Sequence, residues 1–159
     1  MTKRKAVLYV TLFMAAVVLW CFMHSERMQI KLLFTDMERL AVKEPGESMM
    51  ECAAKSRALA RHFKDGCAII DLCHGLKASY SREDIAGGLM AFRSRATKIA
   101  VAFHELEVSV DGAEARVEGW IDYSGTEAMW PRYEPKAEKF LAHLGKTDGQ
   151  WLISRIKVP

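Results

Sequence analysis

The chain has 159 residues, half of them hydrophobic, which suits a membrane anchor plus one compact domain and excludes a disordered or low-complexity protein. Its formal net charge of +3 sits partly at the extreme N-terminus and excludes a strongly basic, nucleic-acid-binding class. One of the four cysteines lies in the first apolar run. The other three, Cys52, Cys67 and Cys73, match no tight metal-ligand spacing and leave both a disulfide and simple burial open.

Thr2-Lys3-Arg4-Lys5 precedes an uncharged apolar run from Ala6 to Met23. At ~1.5 Å rise per residue, this run is about long enough to cross a ~30 Å hydrocarbon core as a helix. Basic residues crowd its N-terminal side, which places residues 1–5 in the cytoplasm and the rest of the chain across the membrane. The competing reading is a cleaved signal peptide. The run is longer than a usual signal core, however, and Trp20-Cys21-Phe22-Met23-His24 lacks small residues at cleavage spacing. The expected organisation is therefore a cytoplasmic tail (1–5), an uncleaved anchor (6–23) and a periplasmic domain (24–159).

In Ser25 to Val42, Ile30, Leu33, Met37 and Leu40 recur at three- and four-residue steps, which predicts a core-facing helix. The same spacing fits a coiled-coil stalk, but two heptads are too few to claim one. Lys43-Glu44-Pro45-Gly46 breaks the chain, and Ser48 with Glu51 forms a capping box for a second helix. Cys52, Leu59 and Phe63 line that helix, with Asp65-Gly66 as its stop. Cys67 to Asp71 reads as a short strand and Cys73 to Ser79 as a loop. Ser81 caps a third helix with Glu83 and Asp84 at its positive end and an apolar stripe of Ile85, Leu89, Phe92 and Ala96. Gly87-Gly88 weakens it by ~1 kcal/mol per glycine, so a neighbour packs close there or the helix is loose.

Ile99 to Tyr123 organises the domain. Inward positions are odd-numbered through Ile99, Val101 and Phe103, then even-numbered through Leu106, Val108 and Val110. A strand changes faces only by gaining or losing a residue, which predicts a β-bulge at His104-Glu105 and a bent sheet. Asp111-Gly112 suggests a type I′ turn, and Ala113 to Tyr123 returns with odd residues inward. Ser124 to Pro131 reads as a loop carrying Trp130, Arg132 to Leu144 as a strand, Thr147-Asp148-Gly149 as a turn, and Trp151 to Val158 as the closing strand.

This order resembles the nuclear transport factor 2-like superfamily, which includes ketosteroid-isomerase-like and SnoaL-like proteins. The marks are Tyr80-Ser81-Arg82-Glu83-Asp84-Ile85, the hairpin of Val108, Val110, Asp111-Gly112, Ala115 and Val117, and Asp148-Gly149-Gln150-Trp151-Leu152-Ile153. The resemblance implies an α+β fold: after the transmembrane helix, a cone-shaped domain of about three helices packed on a strongly bent antiparallel β-sheet. It also implies a pocket at the wide end in many members and dimerisation through the outer sheet face in others. The superfamily holds both enzymes and assembly proteins, so fold does not give activity.

No catalytic motif of such enzymes can be matched residue by residue. The positions weighed are Asp71, His74, Tyr80, His104, Asp122 and Tyr123, with Tyr80, His104 and Tyr123 kept as pocket candidates for a small apolar ligand. No metal site or cofactor is expected. Trp120, on the face opposite Val117 and Ile121, and Trp130 are the candidate protein-contact residues. The leading expectation is a non-enzymatic binding or assembly module on the bacterial inner membrane, acting through the outer sheet face or the cone mouth with a protein partner or a second copy. The alternative is a small apolar ligand-binding protein or an isomerase- or dehydratase-like enzyme.

Overall fold

The computed structural model describes residues 11–14, 17, 25–71, 76–127 and 130–158. The expected anchor lies mostly outside these residues, and among them no helix is long and apolar enough to cross a membrane. Positions 11–14 and 17 are helical, with Leu12, Phe13 and Met14 exposed.

Helix α1 spans Glu26–Ala41, α2 spans Met49–Ala60 and α3 spans Arg82–Arg95. Each starts where the sequence supplies a cap. The Ser25 hydroxyl accepts from the Met28 N–H. Ser48/Glu51 and Ser81/Asp84 form reciprocal capping boxes. The strands are β1 (Phe63–Asp71), β2 (Leu76–Tyr80), β3 (Ala96–Asp111), β4 (Glu114–Glu127), β5 (Trp130–Thr147) and β6 (Gln150–Val158). They form one sheet in the order β2-β1-β6-β5-β4-β3, antiparallel except where β1 runs parallel to β6.

The bulge falls at the expected residues. His104 pairs with Trp120 and Glu107 with Glu118, so three steps along β3 oppose two along β4. Glu105 takes a φ of 52°, a left-handed conformation that costs a non-glycine residue ~1–2 kcal/mol. The face switch follows: Phe103, Leu106, Val108 and Val110 all pack on the core. Gly119 lies opposite, and only a residue without a Cβ fits against the bulged backbone.

The concave side is filled by α1 and the sheet. Phe34, Phe103 and Phe140 meet with centroids 5.2–5.6 Å apart, Phe103 edge-on to both others. Ile30, Leu33 and Met37 of α1, and Val117, Ala142, Leu144 and Ile153 of the sheet, surround them. The outer edge of β3 is tied down as well. Lys43 and Ile99 exchange backbone hydrogen bonds, and the Glu38 carboxylate accepts from the Phe103 N–H at 3.1 Å. These contacts occupy part of an edge that would otherwise be open to pairing.

Several boundaries differ from expectation. Residues 76–79, read as loop, belong to β2, which pairs with β1 from Cys67↔Tyr80 to Asp71↔Leu76. Helix α2 stops at Ala60, and Asp65-Gly66 lies inside β1 where its register with β6 shifts. The β3–β4 turn is Gly112-Ala113; only the first has positive φ, the type II′ pattern. The type I′ pattern occurs instead at Asp148-Gly149, with φ of 50° and 79°. Residues 124–127, 130 and 131 are strand, because β4 here has ladders to both β3 and β5, which outweigh the local Ser-Gly signal. Phe92 is 50% exposed and Arg93 takes the buried place on α3. No neighbour explains Gly87-Gly88, since a Cβ on either meets no atom within 4 Å.

Candidate functional site

The pocket candidates do not all share one face of the sheet. Tyr123 shares the inward parity of Val117 and Ile121 on β4, and Tyr80 packs against the core from the end of β2. The strands β1, β6 and β5 lie between β2 and β4 in the sheet. His104 faces the other way, its Nε2 3.0 Å from the Asp122 carboxylate on the outer surface. Asp71 contributes backbone pairing at the end of β1, and its side chain, like His74, lies outside the described residues. An opening of about 880 Å³ lies between α2 and α3, and none of Tyr80, His104 and Tyr123 lines it.

Cys52 and Cys67 are buried free thiols, and Cys73 lies outside the described residues. Burial pushes the Cys67 thiol up to about 11, so it is a poor nucleophile and a poor metal ligand at neutral pH.

The buried polar cluster is one that sequence reasoning missed. Arg93 is 2% exposed. Its guanidinium donates to the carbonyls of Leu40, Ala41 and Val42 at 2.7–3.1 Å and to Glu47 Oε1 at 2.6 Å. Lys43 reciprocates: its ammonium donates to the carbonyls of Arg93 and Ala96 at the end of α3. Each helix thus has its orphan C-terminal carbonyls satisfied by a cation from beside the other. The signal was present in the sequence, since Arg93 continues the four-residue step of Ile85 and Leu89. These donors are engaged by backbone, which makes the cluster a structural knot.

Glu47 completes the knot, accepting also from Lys55 at 2.7 Å and from the Cys52 thiol at 3.1 Å. Burial pushes its carboxyl up, but hydrogen bonds from Lys55, Arg93 and Cys52 outweigh burial and hold it at about 2. A folded-state value below the ordinary 4.5 stabilises the fold fully above pH 4.5 and loses that contribution as pH falls toward 2. A loss on the order of 2–3 kcal/mol is expected across that window. Urea midpoints measured from pH 6 down to about pH 2 check it, and Glu47→Gln should flatten the curve.

The outer sheet face has a different character. Glu114, Arg116, Glu118, Trp120 and Asp122 share one parity on β4, and Trp120 is the large apolar member, 37% exposed. It pairs with His104 on one side and Lys139 on the other. The Lys139 ammonium stands 5.8 Å from its ring centroid. In the adjoining row, Ala102 and Ala137 flank Asp122. The Arg116–Glu118 pair at 2.7 Å borders the patch. Trp130 opens β5 opposite Glu127, and its side chain lies outside the described residues.

Among solved structures, the chain is similar to a protein of Kribbella flavida, with TM-score 0.68 and 16% identity over 84% of this chain and 89% of that one. It is similar to a putative scytalone dehydratase of Novosphingobium aromaticivorans, with TM-score 0.67 and 15% identity over 84% and 82%. An NTF2-like protein with a cystatin-like fold from the same organism gives TM-score 0.63 and 14% identity over 89% and 86%. Neither a protein-family model nor a curated protein matches the chain. At these identities the likeness establishes the fold: the domain has the nuclear transport factor 2-like architecture, with helices packed on a bent six-stranded sheet.

Proposed function

We propose that this chain is a membrane-tethered, non-enzymatic binding or assembly module of the bacterial cell envelope. It engages a protein partner through the outer face of its sheet, with Trp120 as the anchor. One contrast supports the reading. The inner face is taken up by the Phe34–Phe103–Phe140 cluster, while the outer face presents a tryptophan between a histidine and a lysine. Tryptophan flanked by polar groups is the composition favoured at energetic centres of interfaces. Tethering by the apolar run Ala6 to Met23 would raise the effective concentration near a membrane partner, so a modest patch suffices.

The likeness to a putative scytalone dehydratase favours a second reading, a cone pocket for a small apolar ligand. The Phe34–Phe103–Phe140 cluster on the inner face speaks against it.

Trp120→Glu in the full-length chain separates the two. The side chain is partly solvated, so the melting temperature is expected to move by only a few degrees. Association recovered by crosslinking and purification from the native membrane is expected to fall about tenfold or more. Unchanged association, together with a rise in melting temperature on adding small apolar ligands, would favour the pocket.

A further inference from the structure

The opening between α2 and α3 lies on the helical side of the domain, away from the sheet face. The two helices run antiparallel. The start of α3 is held to the start of β1, with the Arg82 N–H on Asp65 and its Nε–H on the Phe63 carbonyl. The end of α3 is held to the chain before α2 by Arg93 and Glu47. Between these ties the groove holds about 880 Å³, a size suited to a bound segment.

Its two ends differ chemically. One end carries Arg57, Arg61 and Arg82, with Glu83 beside Arg82 as a carboxylate of the same end. Arg57 and Arg61 are one helical turn apart and exposed, and their guanidinium groups have no ion-pair or hydrogen-bond partner among the described residues. Asp65, at the same end, already accepts from the Arg82 backbone. The other end is apolar, lined by Met90, Ala53 and Ala86. Gly87 lies between. A Cβ there would meet nothing, so the groove reaches the α3 backbone, and no packing within the domain accounts for a residue that weakens the helix.

We infer that this groove docks an amphipathic helix of a protein partner, its apolar residues against Met90, Ala53 and Ala86 and its carboxylates against Arg57, Arg61 and Arg82. A helix suits the site because the groove is itself a helix–helix cleft, with the sheet contributing Asp65 of β1 to its lining. The flexible Met90 side chain adapts to an apolar helix face. Guanidinium groups take carboxylates in paired hydrogen bonds.

The test uses the full chain in neutral detergent micelles and a short fluorescent helical peptide with leucines at one end and glutamates at i and i+4 at the other. Saturable binding that weakens with salt is expected, together with loss of about tenfold or more in affinity in the Arg57→Glu/Arg61→Glu variant. Gly87→Leu, which fills the groove floor without touching a charge, is expected to abolish binding while the domain stays folded. Trp120→Glu is expected to leave binding unchanged, so failure here and failure of the sheet-face reading are separate results. A lysine-for-glutamate peptide that binds equally well, or binding that survives both groove variants, overturns the proposal. So does protection of Arg57 and Arg61 from chemical modification by phosphatidylglycerol micelles but not by the peptide, which assigns the surface to lipid.

Discussion

Arg93→Ala is expected to lower the stability of the domain by about 3–5 kcal/mol, enough to unfold a protein of ordinary margin. The truncation strips donors from the carbonyls of Leu40, Ala41 and Val42, and it removes the nearest cation from Glu47. The Glu47 side chain is 4% exposed and would be left with Lys55 as its remaining cation. Lysine is a poor replacement, because a single ammonium cannot fork to three carbonyls and a carboxylate. Arg93→Met combined with Glu47→Gln should cost less than the two single changes summed, since the pair fails together. Urea unfolding of the four species measures both the loss and the coupling.

The second large effect is expected at Gly119. A Cβ there would stand 2.8 Å from Leu106 Cδ2, 2.9 Å from the His104 carbonyl oxygen and 3.2 Å from the Phe140 ring. The leucine tip can move, but the His104 oxygen belongs to the bulge and cannot retreat without shifting the register of β3. Gly119→Ala is therefore expected to destabilise by about 2–3 kcal/mol, the cost of overpacking against backbone. Glu105→Gly should recover part of this loss, because it relieves the positive φ that the bulge imposes. Gly125→Ala is the milder comparison, its Cβ meeting only the Lys98 carbonyl at 3.1 Å. Denaturation midpoints rank the three.

The bent β3–β4 ribbon was legible because strand parity is strict. An odd-to-even change in inward residues between Phe103 and Leu106 has few explanations, and the bulge at Glu105 is the one found. Helix starts were legible too, since Ser25, Ser48 and Ser81 act within their own turn of chain. What escaped was decided by partners far along the sequence. Strand β2 exists because β1 offers it a ladder, and β1 in turn lies parallel to β6, some ninety residues on. Asp65-Gly66 carries a turn signal, yet its backbone is held in a strand at a register shift. Arg93 went unremarked because its partners, Leu40 to Glu47, lie at the end of another helix and in the chain after it. At the candidate site, Trp120 was placed on the outer face by parity alone, whereas its neighbours His104 and Lys139 follow only from the observed register.

The contrast between a packed inner face and a tryptophan-bearing outer face is tested most directly by photocrosslinking from position 120 in the native membrane. A benzophenone side chain at 120 is expected to give a light-dependent covalent adduct with a protein, and the same group at position 103, beside Phe34 and Phe140, is expected to give none. An adduct absent at 120, in a chain whose melting temperature rises with a small apolar ligand, would contradict it.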